Sequence, residues 1–158
     1  QKGDCRTEKI GNLEMKILFN ASVVLAGAKS RSGASGVLLS LVKKGRINGI
    51  ITELIFDEII KHARKLGFTA GEMREMVINN FSTHIVEAPA ETEVRKFASK
   101  VLDADDAHIL ASYVQNNCDV LVTLDKKHLL VLKGKIKGVQ IFSPGDLIKF
   151  FSVESKRK

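Results

Sequence analysis

The sequence predicts a single α/β domain with a mainly parallel sheet of about five strands, covered by helices on both faces in three layers. Three observations predict it. Short apolar and β-branched runs alternate with stretches of roughly a dozen residues whose apolar positions recur at helical spacing. "VLVT" at 120–123 reads as a strand buried on both faces. The length, 158 residues, allows one domain with a substantial core and is short for two.

Each element has its own signal. Residues 1–14 lack hydrophobic periodicity, and "MKILFNAS" from Met15 reads as a natural protein start. Residues 1–14 are therefore expected to be an extension or tag, with the domain at 15–152. "KILF" is a short apolar strand ending at Asn20, and a loop with Gly27, Ser30, Ser32 and Gly33 is expected after it. "ASGVLLSLVKKG" carries a helical stripe at Val37, Leu38, Leu41 and Val42, with Gly45 as its stop. "RINGIIT" is a second strand, and Thr52 caps the helix "ELIFDEIIKHARKLG", which Gly67 closes. Thr69 caps a further helix, "TAGEMREMVINNF". "THIVEAP" is a third strand, stopped by Pro89. "AETEVRKFASKVL" and "ADDAHILASYVQNN" are amphipathic helices, "DVLVT" a fourth strand and "GVQIFSP" a fifth. Pro144 opens the final helix, and 153–158 is expected to be a mobile basic tail.

Composition narrows the functional classes. No apolar run approaches the roughly 20 residues that span a bilayer, and the first residues hold no apolar stretch for a signal peptide, so a cytoplasmic protein with no membrane partner is expected. Two distant cysteines, Cys5 and Cys118, make neither a disulfide framework nor a zinc site. The net charge of +7 suits a polyanion. Aromatic content of 6%, with no Trp and one Tyr, supplies few stacking platforms, so contacts from Lys and Arg to phosphate should dominate any nucleic-acid binding. Four histidines form no HxH or HExxH pattern, and no G-x-S-x-G elbow occurs.

The acids carry more. Functional groups of open parallel sheets gather beyond the carboxyl ends of the strands. Asn20 and Asp125 fall at such ends, and Asp103, Asp105 and Asp106 open the helix leading into the fourth strand. Glu58 shares a helical turn with Ile55 and Ile59. Taken singly, Asp103 or Asp105 reads as a helix cap, Glu58 as a solvated position and Asp125 as a turn former. Asp106 shares a face with Ile109 and Leu110, where an uncompensated carboxylate is expensive. Taken together, converging carboxylates call for a hard divalent cation, Mg²⁺ or Mn²⁺, which suits phosphodiester hydrolysis. Lys126 and Lys127 beside Asp125, and Lys29 and Arg31 in the glycine-rich loop, are candidate phosphate contacts to RNA.

"MKILFNASVVLAG", "FDEIIKHARK", "LDADDAHILASYV" and "DVLVTLDKKHLL" resemble, in order and spacing, the motifs of PIN-domain nucleases, especially a prokaryotic branch of toxin components from toxin–antitoxin pairs. The resemblance runs from Met15 to Phe151 and implies a PIN-like fold and a metal-dependent endoribonuclease. It assigns Glu58, Asp106 and Asp125 to Mg²⁺ or Mn²⁺, Asp103 to an outer role and Thr123 to orienting Asp125. It also implies an antitoxin partner and a homodimer. The family's first aspartate falls on Asn20, which is expected to assist as a fourth catalytic and metal-holding residue, though its one neutral acceptor oxygen should lower metal affinity. A weakened enzyme, a catalytically inactive RNA- or protein-binding module and an engineered inactive variant all stay open.

Overall fold

The computed structural model describes residues 13–101 and 103–157. Most of the expected 1–14 extension, Cys5 included, lies outside the described residues. Five parallel strands form one sheet: β1 (Lys16–Phe19), β2 (Asn48–Thr52), β3 (Ile85–Val86), β4 (Val120–Val122) and β5 (Ile141–Phe142), in the order β3-β2-β1-β4-β5. Ile17 stands opposite both Gly49 and Val120, so β1 is the spine. Ile17, Leu18, Phe19, Val120, Leu121 and Val122 are completely buried, as strands covered on both faces require.

Among the described residues seven α-helices cover this sheet. They are α1 (Ala21–Lys29), α2 (Ala34–Lys43), α3 (Glu53–His62), α4 (Ala70–Phe81), α5 (Glu91–Phe97), α6 (Ala104–Gln115) and α7 (Pro144–Arg157). Right-handed crossovers decide the faces. The chain steps outward from β1 to β2 to β3 through α1 to α4, which pack on one another, and α7 joins them against α2. It then crosses back past β1 to β4 through α5 and α6, which pair on the opposite face. This is the three-layer α/β/α arrangement the sequence predicts.

The capping signals hold. Thr52 Oγ1 accepts from Ile55 N (3.1 Å), Thr69 and Glu72 close a reciprocal capping box, and Gly67 ends the turn after α3 with φ +86°. The stretch after β1 differs from expectation. It is helix, not loop, through Lys29. Val23, Val24 and Gly27, poor helix formers, hide the signal, yet all three are buried, Gly27 against Leu39 and Ser35 of α2, and packing overrides propensity. At the other end α7 continues to Arg157, through most of the segment expected as a tail. Glu154, Lys156 and Arg157 are good helix formers, and cations suit a helix C-terminus. Among the described residues no helix is long and apolar enough to cross a membrane.

Gly49 marks a place where the core leaves no room for a side chain. A Cβ there would stand 2.6 Å from Val42 Cγ2 and 2.9 Å from Phe19 Cε1, both on buried residues. Gly49→Ala should therefore cost about 1–3 kcal/mol by overpacking, seen as a lower midpoint in thermal denaturation. An unchanged midpoint would mean that the two side chains have room to yield.

Candidate active site

Strand order reverses at β1: later strands are added on one side through β3, then on the other from β4. The carboxyl ends of β1 and β4 therefore flank the crevice where open α/β sheets place their ligands. Asn20 ends β1 and caps α1, and its backbone N–H donates to Val122 O (3.0 Å), extending the ladder by one bond. Its side chain is buried, and Oδ1 accepts from Ser22 Oγ (2.6 Å), from Thr123 Oγ1 (3.0 Å) and, more weakly, from Ser22 N (3.4 Å). Each hydroxyl in turn accepts a backbone N–H: Ser22 Oγ from Leu124 (3.1 Å) and Thr123 Oγ1 from Asp125 (3.1 Å). One amide oxygen thus binds the end of β1, the first turn of α1 and the chain leaving β4.

That chain delivers Asp125. Its Oδ1 accepts from the N–H groups of Lys127 (3.1 Å) and His128 (3.0 Å), and its backbone carbonyl accepts from Leu129 and Leu130. Oδ2 stands 3.4 Å from Nδ1 of His128. The turn that sequence alone suggests is present, and it leaves the carboxylate half-exposed.

Asp106 comes from the opposite layer. Asp103 caps α6 through Asp105 N (3.0 Å), as its position predicts, and Asp106 follows in the first turn. At the far end of α6, Tyr113 Oη donates to Asp119 O (2.8 Å) and accepts from Gln140 N (3.1 Å), locking the helix to the strands it feeds. Asp106 is only 5% exposed, and its Oδ2 has no hydrogen-bond partner. Its burial first, then the charges of Asp125, Asp103 and Asp105, push this carboxyl up to about 6, with the His128 imidazole pulling the other way.

The structure thus brings Asp106 and Asp125 into one field, with Asp103 and Asp105 at the rim and the Asn20–Thr123 pair behind Asp125. It does not bring Glu58 to them. Glu58 is exposed on α3, its charge is not among those acting on Asp106, and among the described residues no three Asp, Glu, His or Cys side chains assemble to hold a metal ion. Lys126 and Lys127 are exposed next to Asp125. Lys29 ends α1, a helix about 13 Å long, at its far end, and Arg31 follows it and lines a separate cleft of about 530 Å³ between α1, α2 and α4. Cys118 is buried and unpaired, and burial pushes its thiol up to about 12. Ser22 and His128 were not singled out by sequence; the signals were a hydroxyl two residues into a helix capped by Asn, and an Asp-x-x-His turn.

The donor set suits a hard cation bound mainly through water. A buried carboxylate oxygen without a partner, acted on by the charge of a second carboxylate, is the type of site where Mg²⁺ takes one or two protein oxygens and leaves positions for phosphate. Asn20 Oδ1 is already used by three donors, so its role here is to position its neighbours.

Comparison with known proteins follows this geometry. The family model described as PIN domain matches residues 16–127. Eight solved chains match the fold. One is PAE2754 from Pyrobaculum aerophilum, 22% identical, with a TM-score of 0.59 over 88% of this chain and 90% of that one. No curated protein matches.

The raised Asp106 has a consequence for stability. A carboxyl that binds its proton more tightly when folded stabilises the fold below its unfolded value, and that contribution is lost as pH rises through about 6. Asp106→Asn should therefore stabilise the metal-free protein at pH 7.5 by about 1–3 kcal/mol and give no gain at pH 4. Denaturant titrations in EDTA at both pH values test this; destabilisation at pH 7.5 would contradict it.

Proposed function

Because this chain belongs to the PIN domain family, we propose that it is a divalent-metal-dependent endoribonuclease whose working carboxylates are Asp106 and Asp125. One observation carries the reading: the buried, unpartnered Oδ2 of Asp106, in the field of Asp125 at the strand-order reversal. Family membership supports a nuclease-type domain, and such domains generally depend on divalent metals. When bound, Mg²⁺ or Mn²⁺ would polarise the phosphate and supply hydroxide at neutral pH.

The residues divide the remaining work. Asp106 and Asp125 hold the cation, and their mutual repulsion makes its charge the favoured counterweight. Thr123 fixes the backbone N–H of Asp125, and Asn20 fixes Thr123. Glu58 belongs to the proposal through its match to the family's helix glutamate, on a helix that starts at the same sheet edge. Asp103 caps α6 and holds Asp106 in its first turn. Lys126 and Lys127 meet the substrate's phosphates. A toxin role, with an antitoxin partner and a homodimer, is the finer form of this proposal.

One observation favours a second reading, an inactive binding module. Asn20 stands where the family pattern has an aspartate, and its only acceptor oxygen is taken. Cleavage of labelled single-stranded RNA with Mn²⁺ decides between them. The enzyme reading expects cleavage by the unaltered protein, with Asp106→Asn and Asp125→Asn each reducing kcat/KM at least about 100-fold, on the order of 3 kcal/mol of barrier. Asn20→Asp should raise activity by restoring a charged oxygen. RNA binding without cleavage by the unaltered protein or by Asn20→Asp would support the module instead.

A further inference from the structure

A ribonuclease that works at Asp106 and Asp125 also needs a surface that holds the rest of the RNA strand. Resting on that reading, we propose that residues 126–138 form a rigid phosphate-binding platform that carries the RNA strand away from the Asp106–Asp125 pair.

The stretch "KKHLLVLKGKIKG" holds Lys126, Lys127, Lys133, Lys135 and Lys137, with no Asp or Glu. All five lysines are exposed. Of these five lysines, all among the described residues, only Lys133 has its ammonium paired with a carboxylate, Asp146 Oδ2 at 3.9 Å. A connection that served only as a solvated link would gain by mixing charge signs, since five neighbouring like charges repel. A polyanion removes that repulsion.

The backbone that carries those charges is anchored to the core. Leu129, Ile136 and Val139 are buried in the core and act as three anchors. Asp125 O accepts from Leu129 N and Leu130 N (3.2 and 2.8 Å), leading into a 3₁₀ turn at Leu130–Leu132. Gly134 and Gly138, with φ of 78° and 81°, turn the chain where a side chain would be strained, so Lys133, Lys135 and Lys137 surround one compact bend. The Lys133 ammonium lies 4.8 Å from the centre of the Phe142 ring. Phe142 O accepts from Thr123 N (3.0 Å), which ties the platform to the network behind Asp125.

The partner is RNA rather than a membrane. The platform's lysines continue directly from Asp125, and Val131 is its only large apolar residue among the exposed ones, too little to enter a bilayer.

Fluorescence anisotropy of a labelled single-stranded RNA 20-mer in EDTA, where nothing is cut, tests the inference. The triple variant Lys133→Gln, Lys135→Gln, Lys137→Gln should weaken binding at least tenfold at 100 mM KCl. It should also lower the slope of log K against log salt by about 2, as three lost phosphate contacts require. A control triple removing the same charge elsewhere, Lys44→Gln, Lys61→Gln, Lys65→Gln, should weaken binding less than twofold. Equal effects of the two triples, no effect of the first, or binding to phosphatidylserine vesicles in place of RNA would overturn the platform. Cleavage is read separately with Mn²⁺. A protein that binds through the platform and does not cut sinks the nuclease reading alone; one that cuts while the platform triple binds normally sinks this inference alone.

Discussion

A single amide oxygen sets the arrangement of this sheet edge. Asn20 Oδ1 collects two hydroxyl donors, and each hydroxyl holds a backbone N–H of the chain leaving β4. The five residues of this network lie just past the ends of β1 and β4, where the strand-order reversal is and the regular ladder runs out after Asn20 N to Val122 O and Thr123 N to Phe142 O. Side-chain bonds substitute for the missing ladder. Asn20 and Thr123 are buried, and a partner lost from either would leave a polar group dry, at about 1–3 kcal/mol each. The direction in which Asp125 enters the crevice follows from this network, as does the start of the basic loop beyond it.

The same edge contains an energetically unfavourable group. Asp106 is covered by protein, faces the charges of Asp125, Asp103 and Asp105, and leaves one oxygen without a partner. Cores avoid this arrangement, because a buried charge without a counter-charge opposes folding. The rest of the fold absorbs it through a close-packed parallel sheet whose central strands are wholly buried. Local strain of this sort tends to persist where function needs it. Here its chemical sense is plain: a hard cation would turn two repelling carboxylates into ligands, and the lysines alongside would face the anion it recruits.

Much of this was legible in the sequence. Apolar runs bounded by turn residues gave the five strands, and Thr52 and Thr69 announced their helices through local chemistry that spans only three residues. Asp103 and Asp106 could be read from a cap followed by an amphipathic stripe. Helix α1 was not legible, because its valines and Gly27 argue against helix and only their burial outweighs this. Nor was the Asn20–Thr123 bond, which joins positions 103 apart in the chain. Glu58 shows the limit most clearly. Spacing put it beside Ile55 and Ile59, but one step around the helix separates a buried face from an exposed one, and Glu58 falls on the exposed side.

The central claim, that Asp106 and Asp125 form one cation site held in place from Asn20, is tested most directly by anomalous diffraction from crystals soaked in Mn²⁺. The account predicts a manganese peak within about 2.0–2.6 Å of Asp106 Oδ2 and an Asp125 carboxylate oxygen. A fully soaked crystal with manganese bound elsewhere, or with Asp106 Oδ2 still unpartnered, would contradict it.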